Sequence, residues 1–242
     1  MFLLLSLITA IAVSGTALGG DAQPPATVST AAASTTANTA VLQRTKRRIY
    51  LYVKSARRWQ ALMGMPASKA SHLAYATTSV AYARWSLKKW MSLSARLHAR
   101  ARRWMSRRTA AYQSSVRLWR RSMGAPEPRR QLASAGSIEA RFNRWRRMAR
   151  QAYSAYDNPP QKSNFECIHT HEGSWTDRDS GGNGHYGGVQ MGKAEWDKFG
   201  KPYTGKDYPY QASKLDQLWA AARYWEVSGF SPWSQTAPLC GL

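Results

Sequence analysis

Apolar residues return at every third or fourth position through the middle of the chain: Leu87, Trp90, Leu93, Leu97, Ala101 and Trp104, then Tyr112, Val116 and Trp119. This is the period of one face of an α-helix. Helix is therefore expected from Arg44 to Arg150, with breaks at Gly64-Met65-Pro66 and at Gly124-Ala125-Pro126-Glu127-Pro128, where glycine and proline interrupt the hydrogen-bond ladder. Arg and Trp recur side by side along this segment, as in Arg58-Trp59 and Arg103-Trp104, but at irregular intervals that define no repeat.

Past Pro159-Pro160 the pattern changes. Phe165, Ile168 and Glu172 stand at i, i+3 and i+7 of a short helix for which Asn164 is the expected N-cap. A turn-rich stretch follows, Asp179-Ser180-Gly181-Gly182-Asn183-Gly184, whose Asn-Gly step suits a tight hairpin, and Gly187-Gly188 would let backbone approach a ligand closely. Ser213 then caps a helix with Leu215, Leu218, Trp219, Ala222 and Trp225 as its buried stripe and Gly229 at its end. The expected class is α+β, with short helices and a small β-hairpin in the C-terminal domain and a long helical segment before it.

The start of the chain is of a third kind. Phe2 to Val13 is apolar or small throughout, the length of a signal-peptide core and too short to span a bilayer comfortably. Small residues at Ala17 and Gly19 suit cleavage, although no Lys or Arg precedes the run. Residues 1–22 are read as a signal peptide, against the alternative of a buried N-terminal helix, and the product as secreted or wall-associated. Residues 23–42, rich in Pro, Ala, Thr and Ser and nearly uncharged, read as a linker.

Charge sharpens the division. The 242 residues carry a formal net charge of +22, but Gln43 to Arg150 holds 27 basic and 2 acidic residues, whereas Gln151 to Leu242 holds 8 and 10. Glycine divides the same way, 3 in the first of these stretches and 11 from Pro159 onward. The boundaries expected are 43–158 for the basic helical segment and 159–242 for a catalytic domain. A dense array of guanidinium groups attracts polyanions. With export, the expected partner is an anionic cell-wall polymer or membrane surface, and nucleic acid is disfavoured; the plain alternative is a solvated helical spacer.

In the last domain Glu172 shares its helix face with apolar residues and lies three positions before Trp175. Desolvation there would raise its pKa and keep a proton on it near neutral pH, as a glycosidic general acid requires; the alternative is an acid that simply reaches solvent at a helix end. Cys167 and Cys240 bracket nearly the whole domain, which in an exported protein reads as a natural disulfide, the alternative being two unrelated buried thiols.

Several elements recur here in a familiar order: Cys167-Ile168-His169-Thr170-His171-Glu172-Gly173-Ser174-Trp175, then Tyr186-Gly187-Gly188-Val189-Gln190, Trp196, Leu215-Asp216-Gln217-Leu218, and Trp233 with Cys240. From Phe165 to Leu242 the chain resembles the transglycosylase-like domain of actinobacterial resuscitation-promoting factors and their cell-wall lytic relatives. The resemblance implies a compact lysozyme-like fold, cleavage of the β-1,4 bond between N-acetylmuramic acid and N-acetylglucosamine, a Cys167–Cys240 disulfide, and Glu172 as catalytic acid. There are two departures. Four residues separate Cys167 from Glu172, where many relatives have the pair adjacent, and Gly192 stands where a polar or acidic residue is common.

Trp175, Tyr186, Gln190 and Trp196 are candidates to stack on or hydrogen-bond sugar rings, each with a core role as the alternative. Asp177 and Asp179 are the candidates for a second acid; both sit in a polar turn, where such residues commonly serve the backbone. With a second carboxylate near Glu172, two-acid hydrolysis follows. Without one, deprotonated Glu172 would activate the muramyl 6-hydroxyl, the lytic transglycosylase outcome. The contrasting class is a non-catalytic wall- or polyanion-binding protein. No cofactor and no metal are expected: Gly182-Asn183-Gly184-His185-Tyr186-Gly187 follows no buried strand, and His169 and His171 at i, i+2 do not share a helix face.

Overall fold

In a computed structural model of the protein, residues 35–69, 73–128 and 136–242 are described. The expected signal peptide lies outside them. So does the first part of the expected linker, but its last part is helical, because α1 spans Thr35–Leu62. Alanine carries no helix penalty, and the neutral stretch runs directly into an amphipathic one. Among the described residues no helix is long and apolar enough to cross a membrane.

The chain divides into two compact units, Met1–Ala101 and Arg102–Leu242. In the first, α1 is followed by the single turn α2 (Leu73–Ala76) and the first part of α3 (Val80–Ser122). Ile49, Val53, Ala56 and Trp59 of α1 and Ala83, Leu87, Trp90 and Leu97 of α3 are among its buried residues. Ser94 and Ser55 hydrogen-bond at 3.0 Å, and the Trp59 and His98 rings stack with centroids 4.8 Å apart. The helix breaks fall at Gly64 and Gly124, both in the left-handed region that favours glycine.

In the second unit the rest of α3 packs against α4 (Ile138–Tyr156), started by Ser137, whose side chain accepts the Ala140 N–H. Val116, Trp145, Ala149 and Ala152 form the seam. Trp104 meets Phe142 and Trp119 meets Tyr153, so contacts advance together along both helices and the two run in the same direction. Next come α5 (Lys162–Glu172), the antiparallel pair β1 (His185–Tyr186) and β2 (Met191–Gly192), α6 (Lys193–Phe199), α7 (Lys201–Thr204) and α8 (Lys214–Ser228). Two short 3-10 turns close the chain, Ser231–Trp233 and Ala237–Cys240. Phe165 and Ile168 of α5 share a core with Val189, Leu218, Ala221, Ala222 and Trp233.

The division expected at 158/159 therefore falls inside the second unit, where several bonds cross it. The Tyr156 hydroxyl donates to Asp216 Oδ1 at 2.9 Å, and Trp219 Nε1 donates to the Tyr156 carbonyl at 2.8 Å. Burial, then the Asp216 charge, hold the Tyr156 phenol far above its usual range. Arg223 of α8 donates to the Phe199 carbonyl at 2.7 Å and to the Ser122 carbonyl at the end of α3, and lies over the Tyr203 ring. Burial pulls this guanidinium down to about 10. Charge and glycine content follow solvent exposure, not packing, and so did not reveal these ties.

Two local expectations also shift. Asn164 is not the N-cap: its amide donates to Gln161 Oε1 at 2.6 Å, and the Phe165 N–H already bonds the Gln161 carbonyl, so α5 begins earlier. The hairpin does not turn at Asn183-Gly184. Both of those N–H groups bond Asp179 Oδ1, which holds them in a loop before β1. The strands are joined instead by Gly187-Gly188-Val189-Gln190, so Gln190 belongs to a turn and not to a strand.

Candidate active site

α5 ends at Glu172 because its last carbonyls meet Gly173, where the chain turns away in an extended conformation. Its inward face is Phe165 and Ile168, both fully buried, and one more turn brings Glu172 to the rim, half-buried. There Glu172 Oε1 accepts a hydrogen bond from the Thr236 hydroxyl at 2.7 Å. Thr236 lies between the two closing 3-10 turns, four residues before Cys240. Cys240 is joined to Cys167 on α5 with Cα atoms 5.9 Å apart. The expected disulfide thus ties the segment that carries Thr236 to the helix that carries Glu172.

The hairpin turn approaches the end of α5 at Gly173. A Cβ built on Gly173 would lie 3.1 Å from Gln190 Nε2 and 3.3 Å from Asp177 Oδ2, so both side chains approach the end of α5. Gln190 Nε2 donates to Asp177 Oδ2 at 2.8 Å and to the Gly187 carbonyl at 3.0 Å. Asp177 also accepts the Ser180 N–H at 2.9 Å and the Ser180 hydroxyl at 3.1 Å. The Ser180 N–H foremost, with the Ser180 hydroxyl and the Gln190 amide, holds the Asp177 carboxyl below the usual aspartate value. Both acid candidates are therefore engaged by their turns, Asp177 with Ser180 and Gln190, Asp179 with the Asn183 and Gly184 N–H groups.

The aromatic candidates separate. Trp196 is fully buried, with its Nε1 donating to the Lys206 carbonyl at 2.8 Å, and it packs with Met191, Phe199 and Ala220. It is a core residue, which corrects its expected place among sugar contacts; α6 turns its ring inward. Trp175 is half-buried, against the His169 ring at 4.1 Å and beneath Lys214 Nζ at 5.3 Å. A Cβ on Gly188 would stand 2.3 Å from the Trp175 ring, so the glycine there admits indole instead of ligand. Tyr186 forms a surface cluster with Tyr208 at 5.1 Å and Tyr210 at 6.2 Å, flanked by Arg178 over Tyr210 and Lys193 over Tyr208. Burial, then the Asp179 charge, hold the Tyr186 phenol above its usual value. Its sequence signal is the short segment Tyr208-Pro209-Tyr210, which no helix or strand period marks.

Gln217 joins the site through contacts that helix spacing alone does not single out. Fully buried on α8, it accepts the Gly188 N–H at 2.9 Å and donates to the Trp175 carbonyl at 2.8 Å, so it brackets both sides of the site. Trp233 Nε1 adds a bond to the Val189 carbonyl at 2.8 Å. His169 Nδ1 lies 3.0 Å from the Gly188 carbonyl. Among the described residues Cys167, His171 and Cys240 bring potential metal-ligand atoms within 4.8 Å of one another, but both sulfurs are spent in the disulfide.

Over 59 residues the chain is 41% identical to the resuscitation-promoting factor Rpf of Micrococcus luteus. The match covers 24% of this chain and 23% of that protein, so the chain spans about a quarter of the relative's length. This supports an Rpf-like domain within the chain. No family model matches it, and no solved structure does.

Proposed function

We propose that the protein is a secreted peptidoglycan-cleaving enzyme in which Glu172 is the general acid. The observation that carries this reading is the setting of Glu172: a carboxyl at the end of a disulfide-tied helix, hydrogen-bonded by Thr236 and followed by Gly173, which Gln190 of the glycine-rich turn approaches, in a chain with an Rpf-like stretch. Thr236 engages Oε1, and Oε2 has no hydrogen-bond partner among the described residues, which leaves it available to a glycosidic oxygen. Proton transfer from Glu172 to that oxygen accompanies cleavage of the C1–O bond toward an oxocarbenium-like state. The engagement of Asp177 and Asp179 by their turns supports a route that needs no second acid. Ionised Glu172 then takes the proton of the muramyl 6-hydroxyl as that oxygen closes on C1, and the product is a 1,6-anhydro end.

The basic helices hold the enzyme to an anionic wall polymer in this reading. Arg102, Arg103, Arg107, Arg108, Arg117 and Arg121 of α3 are exposed, and no Lys occurs from Arg102 to Tyr156. Guanidinium groups pair bidentately with phosphate and carboxylate.

Purified peptidoglycan digested with the full chain tests the function. Anhydro-muramyl ends, lighter by one water than reducing ends, are expected in the mass spectrum, and Glu172→Gln should release nothing. Release by both proteins would remove Glu172 from its role. Glycan retention with no released fragments from the wild type would make the protein a binding module.

A further inference from the structure

Between α3 and α4, within the second unit, lies a cavity of about 200 Å³ that takes no part in the chemistry at Glu172. Ser106, Thr109, Ala110 and Gln113 of α3 and Ile138 and Arg141 of α4 line it. Ala110 contributes only a methyl group, which keeps the space open. Gln113 and Arg141 are half-buried, and among the described residues neither side chain takes part in a hydrogen bond or ion pair, nor does the exposed Ser106 hydroxyl. The Thr109 hydroxyl is engaged, donating to the Met105 carbonyl at 2.7 Å. No acidic and no aromatic side chain is among the six. Exposed Arg102 and Arg103 stand one turn before Ser106, and exposed Arg117 one turn beyond Gln113.

A half-buried guanidinium without an acceptor calls for an anion. Which anion follows from where the donors stand: Arg141 on the α4 wall, Ser106 and Gln113 on the α3 wall. A carboxylate holds its two oxygens in one plane and is satisfied by one guanidinium fork, which leaves the α3 donors unmatched. A phosphodiester is tetrahedral, and its oxygens point to both walls at once. The carbons on either side of it meet Ala110 and Ile138. With no aromatic ring in the lining there is no platform for a nucleic-acid base. We propose that this cavity binds one phosphodiester of a polyol phosphate chain through Arg141, Gln113 and Ser106. This rests on the wall-anchor reading above and names the polymer as a phosphate-linked polyol, whose neighbouring phosphates meet Arg102, Arg103 and Arg117.

The test is binding by the full-length protein, followed by NMR. Three short oligomers of equal charge are titrated: glycerol phosphate with three phosphodiesters, blocked tri-glutamate, and a thymidine tetranucleotide, which also has three phosphodiesters. The glycerol phosphate oligomer is expected to bind tightest and to shift the amides of Ala110 and Arg141. Arg141→Gln should raise its Kd about tenfold and change that of tri-glutamate less than about twofold. Ala110→Leu removes space but no charge, and leucine suits an exposed helix position, so a similar loss is expected. Shifts spread over the exposed arginines instead, equal losses for all three oligomers, no loss with Ala110→Leu, or tightest binding of the thymidine chain overturns the proposal. Wall fragments that fail to retain the wild type at low salt, while the cavity keeps its preference, overturn the anchor reading alone.

Discussion

The Thr236 hydroxyl donates to Glu172 Oε1 across 2.7 Å, joining residues 64 positions apart at the end of α5. In the proposed reading Thr236 is a positioning residue, because its hydrogen bond fixes Oε1 of the Glu172 carboxyl. Thr236→Val is expected to lower kcat/KM on peptidoglycan about tenfold, roughly 1.4 kcal/mol, with little change in melting temperature, and Thr236→Ser to restore most of it. An unchanged rate in the valine variant would remove Thr236 from the site's chemistry.

The disulfide closes a loop of 73 residues around this arrangement. Replacing both Cys167 and Cys240 by Ser is expected to reduce unfolding free energy by about 4 kcal/mol on the loop-entropy account. Denaturant midpoints measure it. Activity should fall too, because the segment carrying Thr236 loses its tie to α5; full activity in a destabilised variant would show that the pairing serves stability only.

Gln217→Leu leaves the Gly188 N–H and the Trp175 carbonyl without their buried partner. Each orphaned group costs about 1–3 kcal/mol, so a loss on the order of 3 kcal/mol is expected. Amide hydrogen exchange should quicken first at Gly188. A neutral substitution would mean that water replaces the amide.

Asp177 has a depressed pKa in the folded protein, so its contribution is present above the unfolded value near 3.9 and is lost as pH falls through the folded one. The bonds to Ser180 and Gln190 should therefore survive down to about pH 4 and loosen only below it. An NMR titration following the Gln190 side-chain amide reads this directly, and a midpoint above the usual aspartate value would contradict it.

Retention of the full chain on wall fragments should fall steeply between about 50 and about 200 mM salt, because each paired anion releases counterions. Exchanging Arg102, Arg103, Arg107 and Arg108 for Gln should flatten that dependence. Salt-insensitive retention would argue against an electrostatic anchor.

The features legible in the sequence are those set by neighbours within a turn or two. The α3 stripe follows from a helix period that places Leu87, Trp90 and Leu97 on one side, and Ser213 and Gly229 bound α8 through local backbone bonds. Glu172 stood out because its helix face is written in Phe165 and Ile168. Trp196 was ambiguous for a physical reason: an indole that stacks on sugar and one that fills a core have the same spacing, and only packing against Met191, Phe199 and Ala220 separates them.

What remained belonged to the folded chain. The Thr236 hydroxyl, the Gln217 bracket and the ties from Tyr156 and Arg223 across 158/159 join residues far apart in sequence, where no periodicity relates the partners. Local hydrogen bonding and apolar period place helices, breaks and the acid at a helix end; which distant donor meets that acid is decided only when the core closes.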